Sequence, residues 1–290
     1  MGNVIGMSAA LTTPFDAQGN IDWPRFAAHS LDLLGQGMNV VTAFGTTGEG
    51  ASIGTRTRAD LFDRMEANGV RPGQLVECIY GPSSEDAGWF AKRAFAAGCA
   101  GLLLCPPFYF RPADPDGIYR WYSEVFEKAG TGARNVILYH IPGLTGVAIT
   151  PDLVGRLRTA FPEIIAGVKD SGGDWASTAG LLAEHRDLTI LVGHENHLAE
   201  AVRNGASGAI SGIANLFPAL VARLVSGETD SRIDAVLKEI LAYPVVPSIK
   251  AAMAGLKGDD TWLRTQAPLV ALSSAQARGL GRSLAAIGGL

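Results

Sequence analysis

Lys169 closes the apolar run Ile164-Ile165-Ala166-Gly167-Val168 and is followed by Asp170-Ser171-Gly172-Gly173. The other lysines, Lys92, Lys128, Lys238, Lys250 and Lys257, fall in segments of helical period or at their ends, where a solvated ammonium is the ordinary use. A lysine at the end of a buried strand is different. An ammonium among apolar neighbours loses hydration, which favours the neutral amine and leaves a nucleophile for a carbonyl carbon. A buried ion pair with Asp170 is the competing use, and residue type alone does not separate the two. Tyr139 ends a second run, Ile137-Leu138-Tyr139-His140-Ile141-Pro142-Gly143. A phenol beside such an amine can carry protons to and from a carbinolamine or an aldol oxygen. A tyrosine that only fills the core is its alternative. By strand alternation His140 faces the other side and reads as structural.

A third piece is Gly45-Thr46-Thr47-Gly48-Glu49-Gly50, directly after another apolar run. Glycines allow successive backbone amides to turn inward as an anion nest, and two threonine hydroxyls add donors, which suits a small carboxylate. A phosphate loop is the rival, but no Lys-Ser or Lys-Thr follows.

These groups need a scaffold that gathers strand ends. Short apolar runs at Val4 to Leu11, Val40 to Phe44, Leu75 to Tyr80, Gly101 to Cys105, Val136 to His140, Ile164 to Lys169, Leu188 to Val192 and Gly208 to Ile213 alternate with segments of helical period. The helical segments are Trp23 to Leu34, Thr57 to Met65, Glu85 to Ala97, Asp116 to Glu127, Pro151 to Ala160, Trp175 to Glu184, Leu198 to Asn204 and Phe217 to Leu224. Asp22 ahead of Pro24, Thr150 ahead of Pro151 and Asp174 ahead of Trp175 mark helix starts. Eight such pairs fit an α/β fold, a (β/α)8 TIM barrel over residues 1–225, with an open doubly wound sheet as the competing architecture. After Gly227 the strand signal stops. Asp230 to Ala242, Ser248 to Leu256 and Ala271 to Ile287 read as a C-terminal helical domain over 226–290.

The chain has 290 residues, is 47% hydrophobic and 18% charged, and carries a net charge of -4. With a pI near 5.7 it has no basic field for a polyanion, so nucleic acid is not an expected partner. No apolar stretch approaches the roughly 20 residues that cross a bilayer, so no membrane role is expected. The N-terminus lacks the positive region of a signal peptide, and Gly2 makes only a weak myristoylation match. Cys78, Cys99 and Cys105 are an odd set without CxxC spacing, which predicts neither disulfide framework nor zinc site and fits a reducing, cytoplasmic setting.

Taken in order, these segments resemble the dihydrodipicolinate synthase and N-acetylneuraminate lyase superfamily, pyruvate-handling aldolases that work through a lysine Schiff base. The resemblance runs over nearly the whole chain: Leu11-Thr12-Thr13-Pro14-Phe15, the glycine-threonine turn, Pro106-Pro107-Phe108-Tyr109, the segment from Tyr139 to Gly146, the segment from Gly167 to Asp174, and the helical tail. It implies a (β/α)8 barrel with a C-terminal helical domain, usually a homotetramer (a dimer of dimers). It implies no metal or organic cofactor beyond a covalent lysine–pyruvate imine, and a 2-keto acid and an aldehyde as small-molecule partners. Lys169 resembles the lysine that condenses with pyruvate and Tyr139 the proton-transfer tyrosine. Thr46 and Tyr109 resemble its relay partners, with Tyr109 reaching a neighbouring subunit. Thr47 and Gly48 resemble the carboxylate site, and Gly193 and Ile210 match pocket-lining positions.

The substrate branch turns on Leu144. In the synthase branch an arginine two residues after the motif proline grips the carboxylate of aspartate semialdehyde; leucine cannot donate that bidentate pair, and it resembles the lyase branch. Glu195 stands where lyases and sugar-acid aldolases hold acceptor hydroxyls, and Ser171 and Ser211 add polar contacts. Helix capping before Leu198 is the alternative for Glu195 and Asn196. The reading favours a 2-keto-3-deoxy sugar acid or sialic-acid-like substrate. Its alternatives are 4-hydroxy-tetrahydrodipicolinate synthase, or a 2-keto acid dehydratase or deaminase using the same iminium. A keto-acid-binding barrel without turnover is disfavoured, since binding alone needs no Schiff-base lysine.

Overall fold

A computed structural model describes residues 5–288. Gly2 and Val4, the latter the first residue of the first expected strand, lie outside the described residues. Eight parallel strands close a barrel in sequence order. They are β1 (Met7–Ala10), β2 (Val40–Ala43), β3 (Leu75–Ile79), β4 (Gly101–Leu104), β5 (Val136–His140), β6 (Ile165–Asp170), β7 (Thr189–Val192) and β8 (Gly208–Ser211). β8 pairs back onto β1 with Ser8 opposite Ile210, which excludes the open sheet. The strands read as continuous apolar runs because one face fills the barrel and the other is covered by helices. Inside lie Val40, Val76, Cys78, Leu103, Ile137 and Leu191; outside, a larger shell joins barrel and helices.

The surrounding helices are α1 (Trp23–Gly35), α2 (Thr55–Ala59), α3 (Leu61–Ala67), α4 (Ser84–Ala97), α5 (Pro115–Ala129), α6 (Pro142–Thr145), α7 (Pro151–Ala160), α8 (Trp175–Glu184), α9 (Glu195–Arg203) and α10 (Pro218–Val225). The three expected caps are made: Asp22 accepts from Arg25 N, Thr150 from Leu153 N and Asp174 from Ala176 N. The expected single helix over Thr57–Met65 is instead two. At Asp60 the N–H turns back to Thr57 O at 3.3 Å, a tighter turn, and the chain restarts when Arg64 N bonds Asp60 O. The short α6 was not expected; Pro142 starts it and Gly146, at φ 65°, ends it. α9 begins at Glu195 rather than Leu198.

Three helices follow the barrel, α11 (Arg232–Leu241), α12 (Val245–Lys257) and α13 (Ser274–Gly288). α12 is buried along most of its length and reaches the loops after β1 and β2 through Lys250.

Candidate active site

Lys169 and Tyr139 are direct register partners across the β5–β6 pair. Both therefore point the same way, into the barrel, at its C-terminal end. Lys169 is 5% exposed, and its Nζ donates to the Tyr139 hydroxyl at 3.2 Å while lying 4.4 Å from the ring centre. Asp170 and His140, one residue on, are partners on the opposite face. There Asp170 accepts from Gly172 N at 2.8 Å and from the Thr178 hydroxyl at 2.6 Å. His140 Nδ1 accepts from Ile149 N, and burial holds this imidazole below its usual range despite Asp170 at 3.9 Å. The Lys169–Asp170 ion pair considered from sequence is thus absent; alternation sends the two side chains to different layers. Among the described residues Lys169 makes no ion pair.

Thr46 completes a line of hydroxyls. Its Oγ1 lies 3.2 Å from the Tyr139 hydroxyl and 3.1 Å from that of Tyr80. Tyr80 was passed over in the sequence, although it follows Val76 and Cys78 in the parity that faces the barrel interior. The signal was the same as at Tyr139: a phenol at the mouth end of a strand on the inward face. Burial is the main reason its hydroxyl is pushed well above the usual phenol range. Burial likewise pushes the Cys78 thiol up to about 11, so it stays an inert S–H beside the amine.

The loop after β2 is held tightly. Phe44 enters the left-handed region at φ 58°, and Gly50 packs so closely that a Cβ there would sit 1.8 Å from Phe44 O. Gly48 N bonds Gly45 O and Glu49 N bonds Thr46 O, while the Thr13 hydroxyl donates to Gly48 O at 2.7 Å. The N–H groups of Thr46 and Thr47 take no protein partner among the described residues, leaving two adjacent donors for an anion. Thr47 is buried, with its hydroxyl beside Gly212 at the end of β8.

The remaining expected positions divide. Ile210 is buried in the barrel interior, and Ser171 and Gly193 adjoin Lys169: a Cβ at Gly193 would meet Ser171 Oγ at 2.1 Å and Lys169 Cε at 3.2 Å. Leu144 is 61% exposed on α6. Glu195 and Ser211 are bonded to each other. Ser211 alternates with Ile210, so it faces the helix layer, and its hydroxyl donates to Glu195 at 2.6 Å. Glu195 thus ties α9 to β8 through one carboxylate oxygen and does not cap the helix. Tyr109 is 75% exposed, its ring edge-on to Phe110, beside a separate cleft of about 340 Å³ shared with Trp121. Within one chain it is not gathered with Thr46. Among the described residues no cluster of three or more His, Cys, Asp or Glu is placed to hold a metal, and no helix is long and apolar enough to cross a membrane.

Comparison with known proteins agrees with this geometry. A crystal structure of dihydrodipicolinate synthase from Agrobacterium tumefaciens superposes with a TM-score of 0.94 at 43% identity, covering 98% of this chain and 99% of that one. A 4-hydroxy-tetrahydrodipicolinate synthase of Porphyromonas gingivalis is 32% identical over 226 residues, 76% of this chain and 73% of its own. An uncharacterized DapA-like lyase of Chloroflexus aurantiacus is 30% identical over 288 residues, 95% and 94% of the two chains. The Dihydrodipicolinate synthetase family matches residues 3–286. The chain belongs to that family, whose members are lyases acting through a lysine Schiff base.

Proposed function

We propose that this protein joins or splits a carbon–carbon bond between pyruvate and an aldehyde through an imine on Lys169. The observation that carries the reading is the buried amine, free of any ion pair among the described residues and 3.2 Å from the Tyr139 hydroxyl. The free amides of Thr46 and Thr47 hold the keto acid carboxylate. The Lys169 amine attacks the ketone carbon and forms a carbinolamine. Tyr139 hands a proton to its hydroxyl, the C–O bond breaks, water leaves, and the nitrogen lone pair closes the C=N bond. Loss of a proton from the pyruvate methyl then gives an enamine that attacks an aldehyde; the reverse sequence cleaves an aldol.

For the acceptor, the relatives named 4-hydroxy-tetrahydrodipicolinate synthase support aspartate semialdehyde as the first reading. Leu144 keeps a second alive. An exposed leucine where the synthase branch resembled here carries an arginine favours an acceptor without a carboxylate, such as the aldehyde half of a 2-keto-3-deoxy sugar acid. We also take the working form to be a homotetramer, in which the exposed Tyr109 is available to a neighbouring subunit.

Borohydride reduction in the presence of pyruvate, followed by peptide mass analysis, tests the imine. A stable adduct is expected on Lys169 and none after Lys169→Ala; labelling of another lysine would reject the assignment. Pyruvate consumption with aspartate semialdehyde, set beside pyruvate release from a panel of 2-keto-3-deoxy acids, decides the acceptor.

A further inference from the structure

Thr46 has a single hydroxyl hydrogen and two phenol neighbours, Tyr139 at 3.2 Å and Tyr80 at 3.1 Å. Which neighbour receives that hydrogen decides whether Thr46 supports or opposes negative charge on Tyr139. We propose that Tyr80, from the same chain, is a positioning residue that donates to Thr46 and thereby aims the Thr46 hydrogen at Tyr139. The inference rests on the imine reading above, since it assigns a role within that chemistry.

The surroundings of Tyr80 keep its hydrogen in place and so leave it able to donate. It ends the inward-facing series Val76, Cys78, Tyr80 and is partly buried. The groups that bear on its hydroxyl are the Cys78 and Cys105 thiols and the Tyr139 phenol; each disfavours its ionisation, as does burial. Tyr80 therefore keeps its hydrogen, and Thr46 Oγ1 is an acceptor within reach. Cys78 is itself held as a thiol by burial. A one-way series results, with Tyr80 donating to Thr46 and Thr46 donating to Tyr139. When Tyr139 gives up its proton to the leaving hydroxyl of the carbinolamine, the aimed Thr46 hydrogen meets the charge left on the phenol oxygen. No bond is broken at Tyr80 itself. Tyr109 of this chain does not substitute, because its ring is turned to solvent against Phe110.

The test uses full-length Tyr80→Phe, Thr46→Val, their double variant and Tyr109→Phe, with steady-state rates across pH. Tyr80→Phe keeps the ring that packs in the barrel and removes only the donor. Its kcat is expected to fall about tenfold with KM for pyruvate within about twofold, and its kcat–pH profile to move to higher pH. Thr46→Val should lose at least as much, and the double variant no more than Thr46→Val alone, since Tyr80 acts only through Thr46. A Tyr80→Phe enzyme with the parent kcat and pH profile overturns the proposal. So does additive loss in the double variant, or a loss confined to Tyr109→Phe, which would give the aiming role to the neighbouring subunit. Borohydride trapping of the parent enzyme separates the two levels: an adduct on Lys169 with a silent Tyr80→Phe rejects this role alone, whereas no adduct rejects the imine reading as well.

Discussion

Lys250 of α12 and Glu49 of the loop after β2 form a buried ion pair that ties the C-terminal helices to the mouth of the barrel. The other carboxylate oxygen accepts from Gln266 N at 2.6 Å, and Lys250 also donates to Thr13 O at 2.9 Å. Burial pulls this lysine down to about 8 even though Glu49 opposes the shift. The loop after β2 is thus fixed from outside the barrel.

Lys250→Met strands the Glu49 carboxylate in a dry site and should cost about 3–5 kcal/mol, read as a fall of roughly 6–10 °C in Tm. Adding Glu49→Leu should recover much of that stability. The double variant is expected to remain folded but to show a raised KM for pyruvate, because the loop has lost its outer tether.

Tyr139→Phe removes the only hydroxyl bonded to the Lys169 amine among the described residues. A positioned acid–base group contributes about 10²–10⁴ in rate, so kcat should drop by that order. Borohydride trapping on Lys169 should persist after long incubation. Full loss of trapping with an intact fold would mean that the phenol is needed to hold the amine and not only to move protons.

Leu144→Arg restores a bidentate donor at the exposed α6 position. If the acceptor pocket lies there, KM for aspartate semialdehyde should fall about tenfold while trapping by pyruvate is unchanged. An unchanged KM would place the acceptor away from α6.

His29 supplies a pH test of the scaffold. It is buried on α1, its Nε2 is 3.0 Å from Asn215 Oδ1, and burial lowers it from 6.5 to about 4 in spite of that bond. The folded state thus keeps it neutral where the unfolded chain would already be charged. Stability from this group is full above about 6.5 and is lost as pH falls towards 4, by about 3 kcal/mol at roughly 1.4 kcal/mol per pK unit. Denaturant unfolding between pH 7 and pH 4 should show the loss, and His29→Gln should remove this component of it.

Much of this was legible in the chain because a closed parallel barrel buries both faces of its strands. Runs such as Val136–His140 stand out between helical segments for that reason, and strand ends pick out Lys169 and Tyr139. What was hidden depended on pairing rather than on pattern. The break at Asp60 is a hydrogen-bond choice inside an otherwise helical stretch. Glu195 and Ser211 looked available only because residue type does not say that each satisfies the other. Tyr80 needed the parity of β3, which the run Leu75 to Tyr80 contains but which composition alone does not separate from core filling.

Gly193 sets a limit on how this catalyst can be altered. Beside the Lys169 amine the chain has no spare room at this position, since any side chain would strike Ser171 or the lysine stem. No side-chain atom is left to remove at that spot, so room for a larger ligand beside this lysine must be carved elsewhere. Tightening is the easier direction: a lone methyl group suffices to crowd the Lys169 stem.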